Sequence, residues 1–475
     1  MDIDHVFLLR LQFAVTAMFH ILWPILTIGL SLLLVTFEAL WLKTSNIDYY
    51  HHARFWAKLF LLNFAIGVVS GMPLSFSFGM NWAPFATATG DFIGNILGYE
   101  AAMAFMLEAG FLGIMMFGWK RVPPPIHLFA TIMVAFGASL SAFWIMIANA
   151  WMQTPAGWEQ QGDRIIVTDY WAALTNPAAP WSVLHMWTAA VETSLFVVGG
   201  ISAWYLLNNR HNEFFLRSFR IAIIGSVIAA PIQILLGDAS GVVVAEYQPA
   251  KLAAMEAHWD TNGPNEGAAW NILAWPDEEA ERNVWQIEIP NALSLITTHD
   301  STGQVRGLKD FPVDERPPVA ITFYAFRIML VIGFALLFLT LWSVWMWQRK
   351  QLQPALISTH RWFLRCWIAA IPLGYIAADA GWVVREVGRQ PWTIYGVMRT
   401  QESASALPIA TAAWSLISFS IIYLLLFFSF LYFARRIIKH GPNLTAMPPS
   451  LKDETPIHTK PQGNFDDKRP VEETD

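Results

Sequence analysis

The chain has 475 residues, 55% of them hydrophobic and only 14% charged, where soluble domains carry roughly 25%. A formal charge of −6 leaves no basic footprint for nucleic acid, and the single cysteine, Cys366, permits no internal disulfide. Soluble globular, disordered, collagenous and disulfide-framework classes are excluded. The expected fold class is all-α: a polytopic membrane helical bundle.

A helix needs roughly 20 apolar residues to cross the hydrocarbon core. Nine such runs lie near 11–40, 57–79, 95–118, 127–150, 183–207, 219–242, 321–346, 363–386 and 405–433. Barrel strands would show alternation over about ten residues instead. The first run is too long for a cleavable signal and lacks a basic n-region, so it reads as a retained anchor. The loops after runs 1, 3, 5 and 7, with the stretch past run 9, hold fifteen Lys and Arg residues. Short loops on the other side hold little beyond Arg164, Arg389 and Arg399. The positive-inside rule then places the N-terminus and the long loop outside and the C-terminus in the cytoplasm. The chain divides into six membrane helices over 1–245, an outer-face loop over 246–318, three helices over 319–440 and a polar, disordered cytoplasmic tail over 441–475.

The outer loop carries thirteen acids against five Lys and Arg, with Trp259, Trp270, Trp275 and Trp285 interspersed. It shows no obvious secondary structure, and its tryptophans favour packing onto the membrane surface. No internal repeat of fixed period supports an inverted-repeat transporter.

Ionisable residues inside the spans are costly and point to function. His20 and His185 sit within apolar runs, with His127 at a cytoplasmic edge. His20 lies about ten residues, roughly 15 Å of helix, from its outer end. A buried neutral imidazole is a natural axial ligand of haem iron, although an isolated one is more often hydrogen-bonded to a neighbouring helix. The intramembrane acids are Glu100, Glu108, Glu192, Asp238, Asp379 and Glu386. Glu100 and Glu108, eight residues apart, project about 80° apart on an α-helix, which fits a staggered proton relay and not a carboxylate dyad. Glu192, seven residues after His185, reads first as an interhelical hydrogen-bond partner. Arg327 suits a carboxylate such as a haem propionate. Met329, two residues on, is a thioether that can ligate low-spin haem, or core filler. Trp382, Arg385, Glu386 and Arg389 crowd the end of the eighth run, with Glu386 between two arginines.

In chain order, LQFAVTAMFH, ANAWMQ, LGDASG, KLAAMEAHW, FRIM and GRQPW resemble subunit I of the bd-type quinol:oxygen oxidases across all nine spans. The resemblance implies oxidation of membrane quinol at the outer face and reduction of O2 to water at buried haems. Protons would come from the cytoplasm, making the reaction electrogenic without pumping. It implies His185 and Met329 as axial ligands of a low-spin haem b, with Arg327 beside them. It matches His20 and Glu386 to the ligands of two high-spin haems, one haem b and the other haem d or a further haem b. Trp382 would stand beside that pair. Glu100 and Glu108 match acids of the oxygen site and its proton supply, Lys251 and Glu256 the quinol-binding pair, and Arg389 the arginine of GRQPW. Lys251 and Glu256, about 140° apart on a helix, gain no support as a pair from spacing. A second large membrane subunit, a small single-span subunit and the bacterial inner membrane with its lipid are also implied. The short outer loop resembles that of the cyanide-insensitive members. The alternatives are a proton-coupled transporter and a cytochrome b conduit without oxygen chemistry. A haem–copper oxidase would need a cluster of about six intramembrane histidines.

Overall fold

The computed structural model describes residues 4–448. Among them nine helices are long and apolar enough to span a membrane. Hydrocarbon offers backbone groups no partners, so each apolar run closes its own helical hydrogen bonds. Span 1 is His5–Thr44, span 2 Ile47–Met80, span 3 the composite Gly90–Phe117 and span 4 Pro124–Gln153. Spans 5, 6 and 7 are Ala179–Leu207, Asn212–Tyr247 and Val319–Gln348. Span 8 runs through Arg361–Ala369 and Leu373–Val387, and span 9 is Ile409–His440. Most helices outrun the apolar stretches that announce them. Span 1, for instance, begins six residues before position 11, where the Asp4 carboxylate accepts from Phe7 N at 2.7 Å and caps it. Span 8 breaks before Pro372, whose nitrogen cannot donate within a helix.

Spans 1 and 5 form the centre of the bundle. A Cβ at Gly29 of span 1 would collide with Ser194 and Ala190 of span 5, so the two backbones approach as small residues in membranes allow. Span 9 contributes little to the interior and leaves most of its apolar surface outward.

Among the described residues three hairpins lie at one end of the bundle, following spans 4, 6 and 8. β1 (Trp158–Gln161) pairs antiparallel with β2 (Arg164–Val167), β3 (Trp270–Asp277) with β4 (Arg282–Ile289), and β5 (Trp392–Ile394) with β6 (Met398–Arg399). The long loop is therefore folded, contrary to the reading of a segment without regular structure. It contains helices Pro249–Glu256 and Ala292–Thr298 around the β3–β4 hairpin. Short helices and a bulged hairpin fall below the length at which periodicity separates them from irregular loop. Its tryptophans divide. Trp259 is buried and donates to Asn283 Oδ1 at 2.9 Å, whereas Trp275 and Trp285 face outward.

The tail over 441–475 lies outside the described residues from position 449 onward. Its first residues lie against span 2, where His51 Nε2 is 2.9 Å from the Ala446 carbonyl oxygen.

Candidate functional site

The end of span 4 carries two amides one helical turn apart, Asn149 and Gln153. They meet the end of span 8 and the loop helix Pro249–Glu256. Glu386 accepts from Asn149 Nδ2 at 2.9 Å, from Gln153 Nε2 at 3.4 Å and from Arg389 Nη2 at 2.5 Å. Arg385 does not complete a sandwich around Glu386, as the sequence had implied. It donates instead to Asn149 Oδ1 and to Ser182 Oγ. Arg385 and Glu386 are thus linked through the two ends of the Asn149 amide.

Lys251, only 3% exposed, donates to Gln153 Oε1 at 3.0 Å and to the Arg385 carbonyl at 2.9 Å. Burial, reinforced by Arg385 and Arg389, holds its ammonium well below the usual lysine range, while Glu386 pulls the other way. Glu256, on the same short helix, has a different partner. It forms an ion pair with Arg327 at 2.5 Å, and both side chains are buried. Arg327 also donates to the carbonyls of Asn271 and Ile272 at the base of β3. Burial pushes the Glu256 carboxyl up, with Arg327 opposing that shift. Lys251 and Glu256 are thus both interior residues with separate partners, as their angular spacing implies. The carboxylate that Arg327 holds in the protein is that of Glu256.

Three side chains singled out from the sequence lie against glycines of neighbouring helices. A Cβ at Gly71 of span 2 would stand 3.0 Å from His20 Cε1, and one at Gly237 of span 6 would stand 3.3 Å from His185 Cε1. A Cβ at Gly381 of span 8 would stand 3.0 Å from Met329 Sδ. Ring and thioether keep their positions because these helix faces are bare. His20 Nδ1 is 3.0 Å from Ser70 Oγ, and that hydroxyl donates its one proton to the Gly67 carbonyl at 2.9 Å. The contact therefore requires the proton on Nδ1, which leaves the Nε2 lone pair free. At His185 the Gln233 amide nitrogen lies 3.3 Å from Nε2, and Nδ1 is buried without a partner among the described residues.

Glu100 and Glu108 lie closer in angle than α-helical geometry implies. From Glu100 to Phe105 the helix makes i→i+5 bonds. One extra residue per π turn makes an eight-residue spacing behave like about seven, which returns both carboxylates to nearly the same face. Both face span 4: Ser141 Oγ donates to Glu100 Oε1 at 2.7 Å, and Glu108 packs on Gly137, one turn away. Glu108 Oε1 is buried without a partner among the described residues. Glu192 is buried but makes no hydrogen bond among the described residues, so the interhelical partner expected for it is not there. Among the described residues Asp379 Oδ1 is likewise buried and unpartnered, whereas Asp238 is exposed and Trp382 half-buried.

The sequence reading missed several participants. Asn149 and Gln153 were legible as amides at one-turn spacing in an apolar run. Ser70 and Ser141 gave no signal, because hydroxyls bonding their own helix are ordinary in membrane spans. Glu38, inside the first run, was not singled out from the sequence. It is buried, accepting from Thr131 at 2.8 Å and lying 2.9 Å from His127 Nδ1, so His127, in the first turn of span 4, turns into the bundle. His52 is also buried, stacked 3.7 Å from Phe214.

The donor set fits haem. Arg327 Nη1, Arg385 Nη2 and Arg389 Nη1 are all buried without partners among the described residues. Buried guanidinium donors require acceptors, and anionic cofactor carboxylates supply them. An imidazole with a free ring nitrogen and a thioether against a bare helix face have the chemistry that axial ligation of haem iron requires.

The description of one family, cytochrome bd terminal oxidase subunit I, matches residues 8–442. Cytochrome bd ubiquinol oxidase subunit 1 of Bacillus subtilis is 37% identical over 446 residues, covering 91% of this chain and 93% of that one. Cytochrome bd-II ubiquinol oxidase subunit 1 of Escherichia coli is 34% identical over 507 residues, covering 93% and 97%. The solved structure of the bd oxidase from Geobacillus thermodenitrificans matches with a TM-score of 0.84 at 32% identity, covering 92% of this chain and 99% of that one.

Proposed function

The chain belongs to the cytochrome bd terminal oxidase subunit I family, it is a multi-pass inner-membrane subunit of a haem-containing quinol:oxygen oxidoreductase that works with a second subunit, and from that premise we propose how its residues divide the work. The observation that carries this reading is the buried Arg327–Glu256 pair. It fastens the loop acid matched to quinol binding onto span 7 two residues from Met329. A transporter is not favoured, since the matched relatives are oxidase subunits.

Glu256 accepts a proton from quinol, and the upward shift of its carboxyl makes it a stronger base than an ordinary carboxylate. Arg327 keeps it in place. Lys251, held low in basicity by its surroundings, offers the quinol a hydrogen-bond partner. His185 and Met329 hold a low-spin haem b from spans 5 and 7, and Arg327 takes one of its carboxylates. His20 presents Nε2, oriented by Ser70, to one high-spin haem. Glu386, oriented by Asn149 and Gln153, serves the other, with Trp382 alongside and Arg385 and Arg389 on cofactor carboxylates. The second high-spin group is haem d or a further haem b. When bound, haem iron supplies one-electron transfer and an open position for O2.

Two quinols release four electrons and four protons, and one O2 takes four electrons and four protons to become two waters. Glu108 and Glu100, aligned along span 4 by the π turn and Ser141, pass the consumed protons inward from the cytoplasm. The loop faces the periplasm with the N-terminus, and the C-terminus lies in the cytoplasm. Electrons and protons then reach the oxygen site from opposite sides, which makes turnover electrogenic without a pump. A small single-span subunit completes the complex.

Met329→Leu in the purified complex tests the assignment. The low-spin band of the reduced-minus-oxidised spectrum should disappear while the high-spin bands persist. An unchanged spectrum refutes it.

A further inference from the structure

A two-stranded antiparallel sheet packed on a protein normally turns its apolar face inward and its polar face to water. The β3–β4 hairpin does the reverse. On β3, Asn271 and Ala274 point inward and are buried, while their cross-strand partners Glu288 and Gln286 stay exposed. The opposite face carries Leu273 paired with Ile287, together with Ile289 and Trp285. These side chains are 46%, 55%, 43% and 49% exposed in the order named.

The hairpin also runs alongside a membrane helix. Near its charged turn, Glu278 accepts from Val319 N and Ala320 N at the start of span 7. Further down, Tyr324 Oη donates to the Ala274 carbonyl at 3.0 Å, and Arg327 donates to the carbonyls of Asn271 and Ile272. Tyr324 and Arg327 lie roughly 7 and 12 Å along the helix from its first residue. Span 7 has 30 residues, about 45 Å, which matches a bilayer measured with its headgroups. Those anchor points therefore fall from the headgroup layer to the top of the hydrocarbon. The exposed stripe of span 7, Ile321, Tyr324, Ile328 and Val331, continues the hairpin's apolar face.

We propose that the β3–β4 hairpin is a membrane-embedded element, its Leu273–Trp285–Ile287–Ile289 face seated among phospholipid acyl chains at the headgroup boundary of the leaflet in which span 7 begins. Its acidic turn, Asp277 to Glu281, stays in water, and its inner face closes over the Arg327–Glu256 pair. Tryptophan at this depth matches the aromatic belts of membrane proteins.

Cys366 is the only cysteine of the chain, so a C366S background allows single nitroxide labels in the intact complex, reconstituted in phosphatidylcholine liposomes. Labels are placed through Trp285→Cys and Ile287→Cys on the hairpin, Val331→Cys on the lipid face of span 7 and Glu279→Cys at the turn. The unsubstituted C366S complex supplies the background from other subunits. Power saturation should show positions 285 and 287 relaxed by dissolved oxygen and shielded from a water-soluble nickel chelate, as at 331, with the reverse at 279. Relaxation at 287 by the nickel chelate overturns the proposal by placing the face in water. Shielding from both reagents overturns it by placing a protein partner there. All four positions are exposed side chains, and an unchanged haem spectrum verifies that each variant is intact.

Discussion

Ser70 Oγ lies 3.0 Å from His20 Nδ1 while donating its own proton to the Gly67 carbonyl, and so sets which ring nitrogen of His20 is free. Outer partners of this kind typically contribute 10–100-fold to metal affinity or activity. Ser70→Ala should lower the occupancy of one high-spin haem by about that order and leave the low-spin band unchanged. Haem content per protein and the reduced-minus-oxidised spectrum measure both. Full occupancy would show that the tautomer is set elsewhere.

Burial raises the Glu256 carboxyl above its ordinary range even with Arg327 beside it. The carboxylate, which is the basic form, is populated only as pH rises through that raised value. Quinol oxidation, measured as kcat/KM, should therefore climb with pH across that window. Linkage gives stability the opposite sign: the folded chain holds this proton more tightly than the unfolded one, so the group's contribution declines as pH rises from the ordinary carboxylate value to the raised one. Glu256→Gln keeps an acceptor for Arg327 and removes the base. It should lower kcat/KM by roughly 10²-fold or more and flatten the pH profile. A wild-type profile in that variant would rule out the base role.

Gly381 leaves Met329 Sδ clear, since a methyl there would approach to 3.0 Å. Gly381→Ala should shift the potential and the visible band of the low-spin haem without changing the high-spin bands. The flexible methionine can yield, so weakened ligation is expected and not outright loss. Potentiometric titration reads the shift, and the reverse pattern of bands would move Met329 to another site.

Glu108 packs on Gly137 with one carboxylate oxygen unpartnered among the described residues. Glu108→Gln should lower kcat for oxygen reduction about tenfold or more with little change in KM for quinol. Oxygen uptake at varied quinol concentration separates the two. Normal turnover would remove Glu108 from the proton path.

The sequence by itself determined the membrane class, the number of spans and which side chains were out of place within them. Twenty apolar residues in hydrocarbon have no option but a helix, and a buried imidazole or carboxylate stands out by the cost of placing it there. His20, His185, Glu100, Glu108 and Glu386 were all legible on that ground. Partnership was not. Whether Glu256 meets Lys251 or Arg327, and whether Asn149 reaches Glu386 across 237 positions, depends on helix packing that local periodicity does not encode. The π turn after Glu100 was equally hidden, because an inserted residue changes the phase of a helix without changing its composition. The loop's fold was hidden too, since its short elements are stabilised by burial against spans 6 and 7 and not by their own propensity. Tertiary structure decided these points because contact energy is set by which faces meet, and only the assembled bundle brings those faces together.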